Sequence, residues 1–183
     1  MAKSIEHAYR PFQSAKAVSE AELQDLEVES GARLPAAYRG FLLQRNGGSL
    51  RPAAFDLVIP DADFKEKVHA LDYLYEVKEI IRRSQLRMEP AQRNIPPGRI
   101  AIGTTVSELT VTLDLTKACF GKIEAWVRDT FNVWGEGANK TIVPLADSFS
   151  DFLGLLHESE DVYHPFWVGF DRDGGRASQL TLP

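Results

Sequence analysis

The chain has 183 residues, which fits one domain with a core large enough to fold without disulfides or metals. Hydrophobic residues make up 44% of it and charged residues 26%, proportions that exclude wholesale disorder. The formal net charge of -5 argues against a general nucleic-acid binder, because neutralising phosphates takes a clustered excess of lysine and arginine. An acidic chain is suited instead to attracting basic partners.

The sequence indicates a cytoplasmic protein. Cys119 is the only cysteine, so no internal disulfide forms, and the first seven residues lack the apolar run of a secretory signal. No stretch approaches the roughly 18 apolar residues that a bilayer-spanning helix needs. We therefore expect neither membrane insertion nor secretion.

Two well-punctuated helices are predicted near the start of the chain, after an N-terminal extension (residues 1–18) that we expect to pack loosely. Ser19 and Glu22 form a capping box, and Gly31 supplies a left-handed stop. The second helix starts at Leu34-Pro35, since proline is favoured in a first turn. It carries buried aromatic residues and ends at the positive-φ sequence Asn46-Gly47-Gly48.

The next part of the chain mixes strands with a helix. A strand is predicted over residues 54–59 and a shorter one around residues 66–71. Asp72 is expected to cap a helix that carries Leu74, Val77, Ile80 and Ile81. Prolines between residues 90 and 97 then mark a loop.

Three strands with period-2 alternation follow, over residues 100–102, 109–115 and 122–127. Leu109, Val111, Leu113 and Leu115 face one way and Thr110, Thr112 and Asp114 the other, which is typical of an antiparallel sheet with one covered face. Trp126 belongs to the predicted core. A helix capped by Asp147 or Ser148 comes next, and a hairpin is predicted near residues 166–182. The order of elements predicts an α+β fold.

No motif for catalysis or metal binding stands out. The four histidines lack metal-ligand spacing, and Cys119 is interpreted as a small half-buried residue, not a nucleophile. Asp171-Arg172-Asp173-Gly174 begins like a calcium loop but lacks the later bidentate acid, so a turn explains it better. We predict no catalytic residue, metal or cofactor, although residues far apart in sequence can still assemble a site.

An ordered set of short motifs carries a family resemblance. The set consists of Gly31-x-x-Leu34-Pro35-x-x-Tyr38-x-x-Phe41-Leu42-x-x-x-Asn46-Gly47-Gly48, then Ile100-Ala101-Ile102-Gly103, Leu113-Asp114-Leu115, Gly121-Lys122-Ile123-x-x-Trp126 and Ala146-x-Ser148-Phe149-x-x-Phe152-Leu153. Together these resemble the SUKH superfamily, which includes bacterial immunity proteins and a yeast regulator of cell-wall synthesis.

The resemblance implies a SUKH-like domain over residues 19–157, with an antiparallel or mixed sheet and helices packed on one side. The extension over residues 158–183 is expected to pack on the same domain. The implied function is to bind and neutralise a toxin domain, nuclease and deaminase toxins among them, by occupying its surface. The alternatives are a regulatory adaptor of the same superfamily and, from a different class, an unrecognised enzyme such as a hydrolase.

Acidic clusters beside aromatic residues are the candidates for partner contact. Acidic side chains steer basic partners, and aromatic residues with a charged rim are typical of interface hot spots. The alternative interpretation is a solvated face with aromatics that cover a sheet edge. The predicted contact residues are Glu158, Glu160, Asp161 and Trp167, followed by Asp61 and Asp63.

Overall fold

The computed structural model describes residues 5–12, 16–58, 68–85, 95–107, 109–128, 140–159 and 177–180. Over these ranges the chain forms four helices: α1 (Glu20–Ser30), α2 (Ala36–Arg45), α3 (Val77–Gln85) and α4 (Phe149–Leu155). It also forms nine strands: β1 (Ile5–Arg10), β2 (Ser49–Arg51), β3 (Ala54–Asp56), β4 (Val68–Leu74), β5 (Arg99–Thr105), β6 (Thr110–Asp114), β7 (Ile123–Arg128), β8 (Lys140–Ala146) and β9 (Ala177–Leu180).

The strands form two antiparallel sheets. The larger has six strands in the order β3-β4-β5-β6-β7-β8, so each strand pairs with its sequence neighbours, and α3 connects β4 to β5. The smaller sheet has the order β2-β1-β9. Reciprocal backbone hydrogen bonds of 2.9 Å between Gly48 and Leu74 connect the two sheets. The predicted α+β fold with an antiparallel sheet is confirmed.

Helix α1 begins and ends where the sequence predicts. The Ser19 Oγ accepts the Glu22 N–H at 3.2 Å, and the Glu22 carboxylate accepts the Ser19 N–H at 2.9 Å, which completes the capping box. Gly31 follows the last helical residue with φ of 71°. Leu23 and Leu26 lie on the buried face, as their spacing predicts.

An aromatic cluster connects α2 and α4. The Phe149 ring lies 5.0 Å from the Tyr38 ring and 5.1 Å from the Phe41 ring, measured between centroids. All three side chains are fully buried. Edge-to-face pairs of this kind stabilise a core beyond their buried area. Helix α2 begins at Ala36, one residue after Pro35, which precedes the first turn instead of opening it.

The structure corrects the predicted boundary between β4 and α3. Leu74 ends the strand, and the helix begins at Val77, so Asp72 does not cap it. The Val77 N–H instead donates to the Asn46 Oδ1 at 2.9 Å. A side chain 31 residues away thus satisfies one of the free N–H groups that every helix start presents.

The structure also corrects the expectation that one face of the large sheet is open. Thr112 and Asp114 are buried, although they alternate with the apolar residues of β6. Their cross-strand neighbours include Glu124 and Arg99, so this face carries buried polar and charged groups. Trp126 is buried, as predicted. Strand β8, which the sequence did not predict, pairs with β7.

Residues of the N-terminal extension form part of the small sheet. The backbone of β1 pairs with β2 on one side and with β9 on the other, which is not the loose packing expected for this segment. The Tyr9 hydroxyl lies within hydrogen-bonding distance of the carbonyls of Arg45 and Gly47 and shares its one proton between them. Of the predicted C-terminal hairpin, only residues 177–180 are described, and they pair with β1.

The burial of the Tyr9 hydroxyl predicts how the stability of the fold changes at alkaline pH. Burial raises the pKa of Tyr9 to about 12, against the ordinary value of 10.0. The stabilisation by the neutral phenol is therefore fully present below pH 10 and is lost as the pH rises through the folded-state pKa. We expect Tyr9→Phe to lose less stability than the wild type between about pH 10 and about pH 12, measured by urea unfolding. Equal losses in both proteins would contradict this assignment.

Candidate partner-binding surface

Only one of the predicted contact residues lies in the part of the chain that the structure describes. Glu158 lies within the described residues, whereas Asp61, Asp63, Glu160, Asp161 and Trp167 lie outside them. The surroundings of Glu158 are therefore the ones that the structure describes in detail.

The end of α4 fixes the backbone that carries Glu158. Ser148 caps the start of α4, since its Oγ accepts the Asp151 N–H at 3.1 Å, and the chain leaves the helix at Leu156 with an extended conformation. His157 then makes two backbone hydrogen bonds with Ala54 of β3, of 3.1 and 2.8 Å. The segment that carries Glu158 is thereby held against the edge of the large sheet.

One ion pair and one histidine–carboxylate contact lie at this edge, and both leave carboxylate surface exposed. The Glu158 carboxylate lies 3.3 Å from the Arg51 Nε, with 68% of the Glu158 side chain accessible. His157 Nε2 lies 3.8 Å from the Asp56 carboxylate, whose side chain is 76% accessible. Pairs this exposed contribute little to stability, so both carboxylates remain available to another protein.

Two exposed apolar side chains flank these carboxylates in sequence. Val58 follows Asp56 by two residues and is 68% exposed, and Leu155 precedes His157 by two residues and is 48% exposed. We call Arg51, Asp56, Val58, Leu155, His157 and Glu158 the β3-edge surface. It combines apolar area with carboxylates, as interface centres with a polar rim do.

The acidic residues of α1 are less available than their number suggests. Glu20 pairs with Arg39, and the hydrogen bond from that guanidinium is the main reason that the pKa of Glu20 is lowered. Glu22 belongs to the capping box, and the Glu27 carboxylate accepts the Leu34 N–H at 3.0 Å. Asp25 and Glu29 are exposed. Much of this acidic run therefore serves the fold.

A buried charged triad, which the sequence analysis missed, lies on the second face of the large sheet. The Arg99 guanidinium donates to both oxygens of Glu124, at 2.6 and 3.2 Å, and its Nη2 lies 2.7 Å from Asp114. Asp114 also accepts the Thr116 N–H at 2.7 Å. Hydrogen bonding to Glu124 is the main reason that the pKa of Arg99 is raised. Arg99 thus offsets one of the two carboxylate charges, and both carboxylates are too buried for a partner to reach.

Other reactive side chains in the described ranges are used within the fold. His69 Nδ1 lies 3.0 Å from the Ser107 Oγ, which in turn lies 3.1 Å from the Thr105 Oγ1. The Leu109 N–H donates to that threonine at 2.9 Å, so the network holds the turn between β5 and β6. Cys119 is half-buried. No histidine, cysteine and carboxylate cluster in the described part of the chain has the arrangement of a metal site.

Comparison with known proteins gives one family. No curated protein matches the chain. Within the described ranges, no helix has the length and apolar character needed to cross a bilayer. The model of the SMI1 / KNR4 family (SUKH-1) matches residues 17–155, which is most of the chain and includes both the Asn46-Gly47-Gly48 motif and the end of α4. The chain therefore belongs to the SMI1 / KNR4 (SUKH-1) family.

Proposed function

We propose that the protein is a cytoplasmic immunity protein that binds a toxin domain and blocks its surface without catalysing a reaction. The observation that carries the proposal is the β3-edge surface, where exposed Val58 and Leu155 accompany the accessible carboxylates of Asp56 and Glu158. Such a surface fits a partner that presents basic and apolar side chains together.

Family membership and charge support this proposal. The SUKH superfamily includes toxin-immunity proteins and regulators that act through protein–protein contacts. The net charge of -5 favours electrostatic attraction of a basic toxin domain. The chain continues from Glu158 into Glu160 and Asp161, and from Val58 into Asp61 and Asp63. Residues 61–67 hold three acidic residues and two lysines, whereas residues 158–161 hold three acidic residues and no lysine, so we propose that the acidic run from Glu158 contributes more.

Co-purification from the native cell extract tests the function. We expect the tagged protein to retain one stoichiometric polypeptide that contains a toxin domain, identified by mass spectrometry. Addition of the purified protein should then suppress the toxicity of that domain. If the bait remains without a partner under toxin-producing conditions, the immunity function is refuted for those conditions.

Charge reversal tests whether the β3-edge surface is the contact. We expect the double substitution Asp56→Lys and Glu158→Lys to slow association with the recovered toxin domain by about tenfold at low salt, because both carboxylates are accessible and steering depends on their sign. The salt dependence of the association rate should also become weaker. Stopped-flow mixing at several ionic strengths measures both quantities.

The matched control changes the net charge by the same amount at residues outside the β3-edge surface. Asp25→Lys with Glu29→Lys on α1 reverses two exposed carboxylates, and we expect a smaller effect on the association rate. If both double variants slow association equally, long-range charge alone explains the attraction. If neither does, the β3-edge surface is not the contact.

The second candidate function is a regulatory adaptor, which the matching family favours because its description names SMI1 and KNR4. An adaptor is expected to retain a cellular protein that is not a toxin, in both the presence and absence of toxin production. The same co-purification therefore distinguishes the two candidates by the identity of the retained polypeptide.

A further inference from the structure

The corner at the end of α2 has an unusual backbone. Asn46, Gly47 and Gly48 have φ of 48°, 79° and 116°, so three consecutive residues occupy the left-handed side of backbone space. This conformation directs the carbonyls of Arg45 and Gly47 toward a single hydroxyl, that of Tyr9. The helix end is thus completed by a side chain from another segment of the chain.

The corner accommodates an extended strand because Gly48 carries no side chain. A Cβ on Gly48 would lie 2.6 Å from the Arg10 carbonyl oxygen and 2.8 Å from the Tyr9 ring. Any residue other than glycine would therefore displace β1. The Arg45 guanidinium covers the other side of this contact, 5.0 Å from the centre of the Tyr9 ring.

Two further contacts extend the recognition along the N-terminal segment. The Phe12 ring packs edge-on against Tyr73, with 5.4 Å between centroids. The Asn46 Nδ2 donates to the Lys16 carbonyl at 2.9 Å, while the same side chain caps α3 through its Oδ1. The corner therefore binds the Tyr9 hydroxyl and, through Asn46, the Lys16 carbonyl, while Phe12 packs on Tyr73 of β4.

The segment lies outside the family domain that holds it. The family model matches residues 17–155, which include the corner but not β1 or β9. The other two strands of the small sheet, β1 beside β2 and β9 beside β1, thus come from outside that match. The matched region has its own core without these two strands, since the aromatic cluster and the large sheet lie between residues 17 and 155.

We propose that the Asn46-Gly47-Gly48 corner is a docking site for an extended, tyrosine-bearing segment, and that its ligand is the chain's own residues Ile5–Phe12. This segment dissociates and rebinds as a unit while the family domain stays folded, as locally stable units of proteins do. Release uncovers Tyr73 and the two carbonyls that Tyr9 occupies. The proposal is independent of the toxin partner.

Hydrogen exchange of the full chain, followed by mass spectrometry, tests the first part. In the wild type, we expect amides of β1 to exchange through openings that leave β6 protected. Tyr9→Phe should speed exchange in β1 by about tenfold, the effect of one lost hydrogen bond, and leave β6 unchanged. Exchange of β1 only together with β6 would overturn the proposal, and the wild type alone suffices for that result.

A peptide added in trans tests the second part. We expect a fluorescent peptide with the sequence of Ile5–Phe12 to bind the full chain carrying Tyr9→Ala, and to bind the wild type less because its own segment competes. The same peptide with phenylalanine at the tyrosine position is the control and should bind more weakly. Equal binding of both peptides, or no binding to the Tyr9→Ala chain, would refute recognition of the hydroxyl.

Discussion

Arg99→Met is expected to lower the free energy of unfolding by about 3–5 kcal/mol, the usual result of removing one partner from a buried ion pair. The substitution leaves Asp114 and Glu124 without their shared cation, and their side chains are only 1% and 6% exposed. Methionine fills a similar volume, so the loss reports on charge and hydrogen bonding more than on packing. Urea unfolding followed by circular dichroism measures it.

Arg82→Met is the matched control, since Arg82 also binds a carboxylate with two nitrogens. Its contacts with Glu79 are both 2.7 Å, but 58% of the Arg82 side chain is exposed. We expect this variant to lose less than about 1 kcal/mol, as exposed pairs do. If Arg99→Met and Arg82→Met lose the same small amount, water reaches the triad and the second sheet face is not sealed.

The parts of the fold that the sequence predicts well depend on contacts between near neighbours. The cap of α1 joins residues three apart, and the left-handed stops at Gly31 and Asn46 follow from backbone sterics at single positions. Alternation in β6 likewise predicts which side chains join the apolar core. These signals are visible because each one is complete within a few residues.

The parts that the sequence does not predict depend on partners distant in the chain. Asn46 caps α3 across 31 residues, and Arg51 pairs with Glu158 across 107. The alternating polar residues of β6 predict a solvated face. In the fold, β6 pairs with β5 on one side and β7 on the other, and these strands bring Arg99 and Glu124 beside Asp114. Acidity at Glu158 is readable from the sequence, but its position beside Arg51 and the edge strand β3 is not, because β3 and the end of α4 meet only in the fold.

Gly47→Ala is expected to lower the free energy of unfolding by about 2–5 kcal/mol, from left-handed strain and steric overlap together. The φ of Gly47 is 79°, which disfavours any Cβ. That Cβ would also lie 2.7 Å from the Glu76 nitrogen and 2.8 Å from the Leu74 oxygen. These neighbours are backbone atoms at the junction of β4 and α3, so relief requires moving a strand end and a helix start.

Gly31→Ala separates the two causes, because Gly31 has nearly the same φ, 71°, and no atom within 4 Å of an added Cβ. We expect this control to lose only the conformational cost, about 1–2 kcal/mol. Urea unfolding of both variants gives the difference, which measures the steric term alone. A difference near zero would show that the chain between β4 and α3 yields easily, whereas a large one shows that the corner is fixed in place by the family domain and offers β1 a rigid docking surface.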